Sequence, residues 1–146
     1  MVGILIAILS GSLMSVQGVF NTDVTKNTGM WVANSWVQIT AFAVCLAAWG
    51  FTDRTSFAVL WKVQPKYALL GGVIGAFITL TVIKSMDMLG PAQAVLFIVI
   101  AQMISAWVIE LFGMFGTEKT DWSMHKLIGM AIAIAGIVLF QWERQA

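Results

Sequence analysis

Charge is what this sequence has least of. Lys and Arg number 8 and Asp and Glu 7, so only 10% of 146 residues are charged. A soluble domain of this length needs far more polar surface than that. The net charge is +1, too little to gather nucleic acid, which is excluded as a partner. Cys45 is the single cysteine; it excludes an internal disulfide and leaves the redox compartment open. His125 is the single histidine, and with no Cys beside it a metal site is not expected. No nucleophile triad, phosphate-cradling glycine loop or zinc spacing is present, so neither an enzyme nor a cofactor is expected. The N-terminus has no Lys/Arg n-region, so the first apolar segment is expected to be retained rather than cleaved. No charged or low-complexity tail suggests a second domain, and a single transmembrane domain is expected over 1–146.

What is abundant is apolar: 60% of residues are hydrophobic and mean hydropathy is +0.90. Five apolar segments, at about 2–20, 30–51, 67–83, 91–113 and 124–142, are separated by short polar breaks. The breaks are Asn21-Thr22-Asp23, Thr52-Asp53-Arg54, Lys84 with Asp87, and, at the far end, Glu143-Arg144. Each segment is near the roughly 20 residues that a helix needs to cross a bilayer. Membrane strands would alternate over about 10 residues, which these continuous runs do not. The expected fold class is therefore an all-α integral membrane protein with five transmembrane helices. The run Phe57-Ala58-Val59-Leu60-Trp61 is too short to cross and reads as an interfacial helical turn. Trp31, Trp49, Trp61, Trp122 and Trp142 suit the headgroup belt, whereas Trp36 and Trp107 sit deeper.

The fourth segment, 91–113, holds the most informative chemistry. Gln93, Gln102, Ser105 and Glu110 interrupt an otherwise apolar run. Glu110 is the one acidic side chain inside a long apolar segment, and such groups usually face a protein interior or a watery path. Leu111, Phe112, Met114 and Phe115 follow it, so the apolar zone is expected to continue past the acid and to desolvate its carboxyl. Trp107, one turn earlier, could stack on a cation. On the first helix Ser10, Gln17 and Asn21 share a face. On the second, Asn34 and Gln38 are four apart and Cys45 lies seven further on. Two readings stand side by side: a polar cavity between helices, or amides that glue the bundle at about 0.6 kcal/mol per pair. Lys84 closes the third helix and is expected to face Asp87.

Loop charge gives topology. With five spans, Arg54, Lys62, Lys66, Lys119 and Lys126 share the N-terminal side, and Lys26, Lys84 and Arg144 the other. The positive-inside rule favours a cytoplasmic N-terminus by two charges, a margin that permits insertion both ways. An antiparallel dimer, the two-chain version of an inverted repeat, would follow. Gly11, Ser15 and Gly18, Gly71 with Gly75, Gly72 with Ala76, and Gly129, Ala133 and Gly136 form small-residue stripes that let helices approach closely. The fifth segment has no strong polar group between Lys126 and Gln141 and reads as a packing or dimer-forming helix.

Several of these residues carry a family resemblance. They are Gly11 with Gln17-Gly18-Val19-Phe20-Asn21, Leu89-Gly90-Pro91-Ala92, Gln102 with Ser105, Glu110-Leu111-Phe112-Gly113, and Ile128-Gly129 with Gly136. Together they resemble the YdcZ-like, half-size members of the drug/metabolite transporter (DMT) superfamily. The resemblance implies a secondary transporter built from two five-helix halves, as an antiparallel homodimer, a pair of sister chains or a fused ten-helix protein. The family pattern has Gly before the fourth-helix Gln and Asp followed by His; here these are Ala101, Glu110 and Leu111.

The expected function is proton-coupled export of small organic, cationic or amphipathic solutes by alternating access in a bacterial inner membrane. Gln17, Asn21, Asn34, Trp36, Gln38, Gln102 and Trp107 would line the site and Glu110 would carry charge. The expected partners are the bilayer, the solute, and a second copy or sister chain. The alternative is a non-transporting membrane subunit, with its amides used only as glue. A pore is disfavoured, because no ring of like charges or re-entrant segment is visible.

Overall fold

Two glycines do the work of loops. Gly29 alone joins α1 (Val2–Thr28) to α2 (Met30–Phe51), at φ 93° and ψ 155°. Gly90 alone joins α3 (Gly71–Leu89) to α4 (Pro91–Phe112), at φ 79° and ψ 159°. Only glycine enters this region readily, and at Gly29 the chain reverses within one residue, because α2 packs back on α1. In this computed structural model residues 1–142 are described, with side chains as far as Phe140. Glu143 and Arg144, and the side chains of Gln141 and Trp142, lie outside the described residues.

Every regular element among the described residues is helical. After α2 come two short 3₁₀ helices, Phe57–Lys62 and Lys66–Leu70. The first is the interfacial turn expected from its short apolar run. α4 leads through Gly113 and a 3₁₀ turn, Met114–Gly116, to α5 (Met124–Trp142). Four helical stretches are long and apolar enough to span a membrane: Val2–Thr28, Met30–Phe51, Lys66–Leu89 and Pro91–Phe112. The fifth is apolar over the shorter stretch Met124–Phe140. Four of the five expected spans are thus present at full length.

Helix ends correct the sequence reading at two places. α1 does not stop at Phe20 but runs on through Asn21-Thr22-Asp23 to Thr28. The reason is local: the hydroxyls of Thr22, Thr25 and Thr28 each donate to the carbonyl four residues back, at 2.8 Å. Polar residues satisfied in this way do not break a helix. Likewise α3 continues past Lys84 to Leu89, and its apolar approach, Lys66–Leu70, is wound as 3₁₀.

The chain divides into two compact units, Met1–Pro91 and Ala92–Ala146. In the first, α1 packs on both α2 and α3. Gly18 makes this possible: a Cβ there would lie 2.5 Å from Met86 Cε and Sδ. Met86 and Ile83 of α3 and Ala33 of α2 are among the buried residues of this unit. In the second unit, the carbonyl of Glu110 at the end of α4 accepts from Gly113 at 3.2 Å and from Thr120 at 3.0 Å. Among the described residues few apolar side chains are buried at all. Outward faces such as Ile4, Leu5, Phe42 and Phe77 are more than half exposed, as expected of helices whose solvent is lipid.

Candidate functional site

The amide stripes of α1 and α2 do not all do the same thing. α1 and α2 leave a groove of about 590 Å³ between them, and Gln17, Asn21 and Trp36 line it together with Thr40 and Cys45. These come from both helices because a one-residue joint folds α2 straight back along α1. Gln17 sits 11 residues before Thr28, and Cys45 lies 15 after Met30. At 1.5 Å per residue the groove therefore runs from the Gly29 end roughly 20 Å down the helices, toward mid-membrane. Its walls are mostly apolar, with Phe20, Val24, Val37 and Val44 among them. Gln17, Trp36 and Cys45 are exposed, and Asn21 is only 8% exposed. The combination can hold an apolar body and offer hydrogen bonds at one end.

Asn34 and Gln38 do not line the groove; they bond to α3. Asn34 Nδ2 donates to the Ala76 carbonyl at 3.2 Å, and Gln38 Nε2 to Thr79 Oγ1 at 3.4 Å. Thr79 Oγ1 in turn donates to the Gly75 carbonyl at 3.0 Å. These are the small-residue positions of α3, where close approach exposes backbone carbonyls to a neighbour's side chain. Asn34 is buried, and its Oδ1 has no partner. Groove and glue thus both exist along α2, on overlapping faces: Cys45, in the groove, lies seven residues after Gln38.

Charged pairs are the part the sequence reading missed. Asp87 lies 3.9 Å from Lys26 of α1 rather than paired with Lys84. Thr22, Asp23, Lys26, Asp87 and Gly90 surround a hollow of about 290 Å³ there. In the second unit Glu110 is not without a counter-charge. Lys126 Nζ of α5 donates to Glu110 Oε2 at 3.3 Å, and both side chains are about half exposed (45% and 49%). The apolar run after Glu110 carries the helix on by only two residues, Leu111 and Phe112. α4 ends at Phe112, and the chain turns at Gly113 in the left-handed region (φ 62°, ψ 37°). Glu110 is therefore in the last turn of α4 and Lys126 in the first turn of α5. Their separation of 16 residues follows no helical period, so only knowledge of the turn could have revealed the pair.

Trp107 packs against Trp122, ring centroids 5.1 Å apart and tilted by 56°. Its indole N–H is buried without a partner. Gln102 is exposed on α4. The groove residues belong to the first unit, whereas Gln102, Trp107 and Glu110 belong to the second.

The comparisons agree with this architecture. A model of the family described as "Putative inner membrane exporter, YdcZ" matches residues 2–139. No curated protein and no solved structure matches the chain. Apolar helices of spanning length, in a family of inner membrane exporters, make this a multi-pass protein of the bacterial inner membrane. The match takes in all five helices and both units, and the chain belongs to the YdcZ family.

Proposed function

We propose that this chain is half of a secondary transporter that exports small organic solutes, cationic or amphipathic, as an antiparallel pair. The observation that carries the reading is the α1–α2 groove. It is large enough for a drug-sized fragment, mostly apolar, and edged by Gln17 and Asn21. An exposed amide partway down a spanning helix is costly in lipid. A second copy laid antiparallel against the groove would cover it and turn an open trough into a cavity, the arrangement that inverted repeats create within one chain. The family's description as exporters supports transport.

Five spans per chain, proton coupling and the role of Glu110 belong to the same proposal. Protonation of Glu110 cancels the charge that holds Lys126. Breaking and remaking this pair at the α4–α5 turn is a two-state event that a proton gradient can drive. Solute contacts at Gln102 and Trp107 belong to the same proposal.

Cys45 gives a direct test, because it lines the groove and is the chain's only cysteine. In membrane vesicles, tetraphenylphosphonium or another transported cation should slow maleimide labelling of Cys45, and Gln17→Leu should weaken that protection. Solute-driven proton flux in liposomes should fall in Glu110→Gln. Equal flux in wild type and variant would remove Glu110 from the mechanism while leaving the groove reading intact.

A second reading is favoured by the Asn34 and Gln38 hydrogen bonds, which show amides used as glue. In that reading the chain is a non-transporting subunit of a larger membrane protein. Cross-linking in native membranes separates the two: products the size of two such chains support the pair, and products only with an unrelated protein support the subunit.

A further inference from the structure

The connection between α2 and α3 is too apolar and too basic to be a mere loop. Phe57, Leu60, Trp61 and Leu69 surround a hollow of about 560 Å³. All four are exposed, Trp61 at 79%. Arg54, Lys62 and Lys66 flank them, also exposed. Asp53 is the only acidic residue between Phe51 and Gly71, and its carboxylate already accepts from Thr55 Oγ1 at 2.5 Å. No acidic side chain pairs with the three cations among the described residues.

The segment is also held in place. Trp49 at the end of α2 donates its indole N–H to the Thr55 carbonyl at 2.9 Å, and its ring lies 4.9 Å from that of Phe57. Ser56 caps the first 3₁₀ helix by accepting from the Ala58 N–H at 3.3 Å. Lys66 Nζ donates to the Trp61 carbonyl, tying the second 3₁₀ helix to the first. Arg54 Nε donates to the Gly50 carbonyl at 2.8 Å, which fixes the guanidinium at the end of α2. The hollow and its basic rim are thus anchored to a helix that ends at the membrane surface.

We propose that this connection is a binding site for an anionic phospholipid. An acyl chain occupies the hollow between Phe57, Leu60, Trp61 and Leu69, and the headgroup phosphate lies against Lys62 and Lys66, with Arg54 at the edge. Charge complementarity selects the occupant: an uncompensated basic rim over an apolar hollow matches a molecule with one anionic head and a hydrocarbon tail. The site is independent of the groove and of any transport reading. Each Lys or Arg near an anionic surface strengthens attraction by about fivefold. Removing two such cations should therefore cut the preference for anionic over zwitterionic lipid by up to about 25-fold.

The test uses the full chain in nanodiscs, where both leaflets are accessible and orientation does not matter. Trp61 fluorescence, taken as wild type minus Trp61→Phe, is quenched by brominated phosphatidylglycerol or brominated phosphatidylcholine at rising mole fraction. The expected result is half-quenching at a much lower fraction of phosphatidylglycerol, with that preference lost in Lys62→Gln/Lys66→Gln. Alanine at Leu60 should weaken quenching by both lipids equally, a sign of the hollow rather than the rim. Equal quenching by both lipids in wild type, or a preference unchanged in the double variant, overturns the proposal. So does an absence of quenching by either lipid, which would mean that protein covers the hollow.

Discussion

Gly18 shows how much one missing methyl can decide. Its Cβ position is occupied by the end of the Met86 side chain, and Met86 is only 3% exposed. A methionine tip is adaptable, so Gly18→Ala should be absorbed with little loss. Gly18→Leu overpacks the α1–α3 contact and should cost about 1–3 kcal/mol, measured by denaturant unfolding in mixed micelles. Adding Met86→Ala should recover part of that loss. The amides divide in the same experiment. Gln17→Leu, at an exposed groove position, should leave stability within about 0.5 kcal/mol of wild type while weakening solute protection of Cys45. Gln38→Leu removes the bond to Thr79 and should cost about 0.6–1.7 kcal/mol. The amides were legible in the sequence as stripes, because helical spacing alone places Gln17 with Asn21 and Asn34 with Gln38. Which stripe faces a groove and which faces α3 was not legible. That depends on how far each helix is rotated about its axis, and every face of these helices is apolar enough to permit several rotations.

Helices were legible as apolar runs; their ends were not. In lipid, a polar residue ends a span but not a helix, because the backbone must stay hydrogen-bonded whatever the side chains are. α1 therefore passes Asp23 and ends where Gly29 allows a reversal. Gly29→Ala is a clean probe of that joint, since no atom lies within 4 Å of the added Cβ. Its cost is backbone strain alone, about 1–3 kcal/mol. Gly11→Ala, also without a neighbour within 4 Å but inside α1, should be neutral or slightly stabilising. Equal effects from the two substitutions would show that the joint carries no strain. The α4–α5 turn makes a separate prediction. Glu110→Lys and Lys126→Glu should each destabilise the turn, and the double reversal should recover it. As both groups are half exposed, a coupling energy of no more than about 1 kcal/mol is expected if water reaches them. A larger value would place the pair inside the hydrocarbon.

At the scale of the molecule, the feature to explain is near-balanced loop charge in a protein with so little charge to spend on orientation. Five cations fall on the N-terminal side and three on the other, if five helices span. Two substituted chains can push that balance each way without touching Lys26, Lys66 or Lys126, whose side chains have partners. Lys84→Gln with Arg144→Gln leaves five against one and should fix the N-terminus inside. Lys62→Gln and Lys119→Gln, with Asn27→Lys and Thr28→Lys, leave three against five and should fix it outside. Reporter fusions at the C-terminus read the orientation of each. In wild type both orientations should be populated. Neither fixed chain should export solute alone, because parallel copies cannot lay their α1–α2 grooves against each other in inverted register. Co-expression of the two should restore export. Full activity from either fixed chain by itself would rule out the antiparallel pair, and the groove would then need a sister chain or the bilayer itself as its other wall.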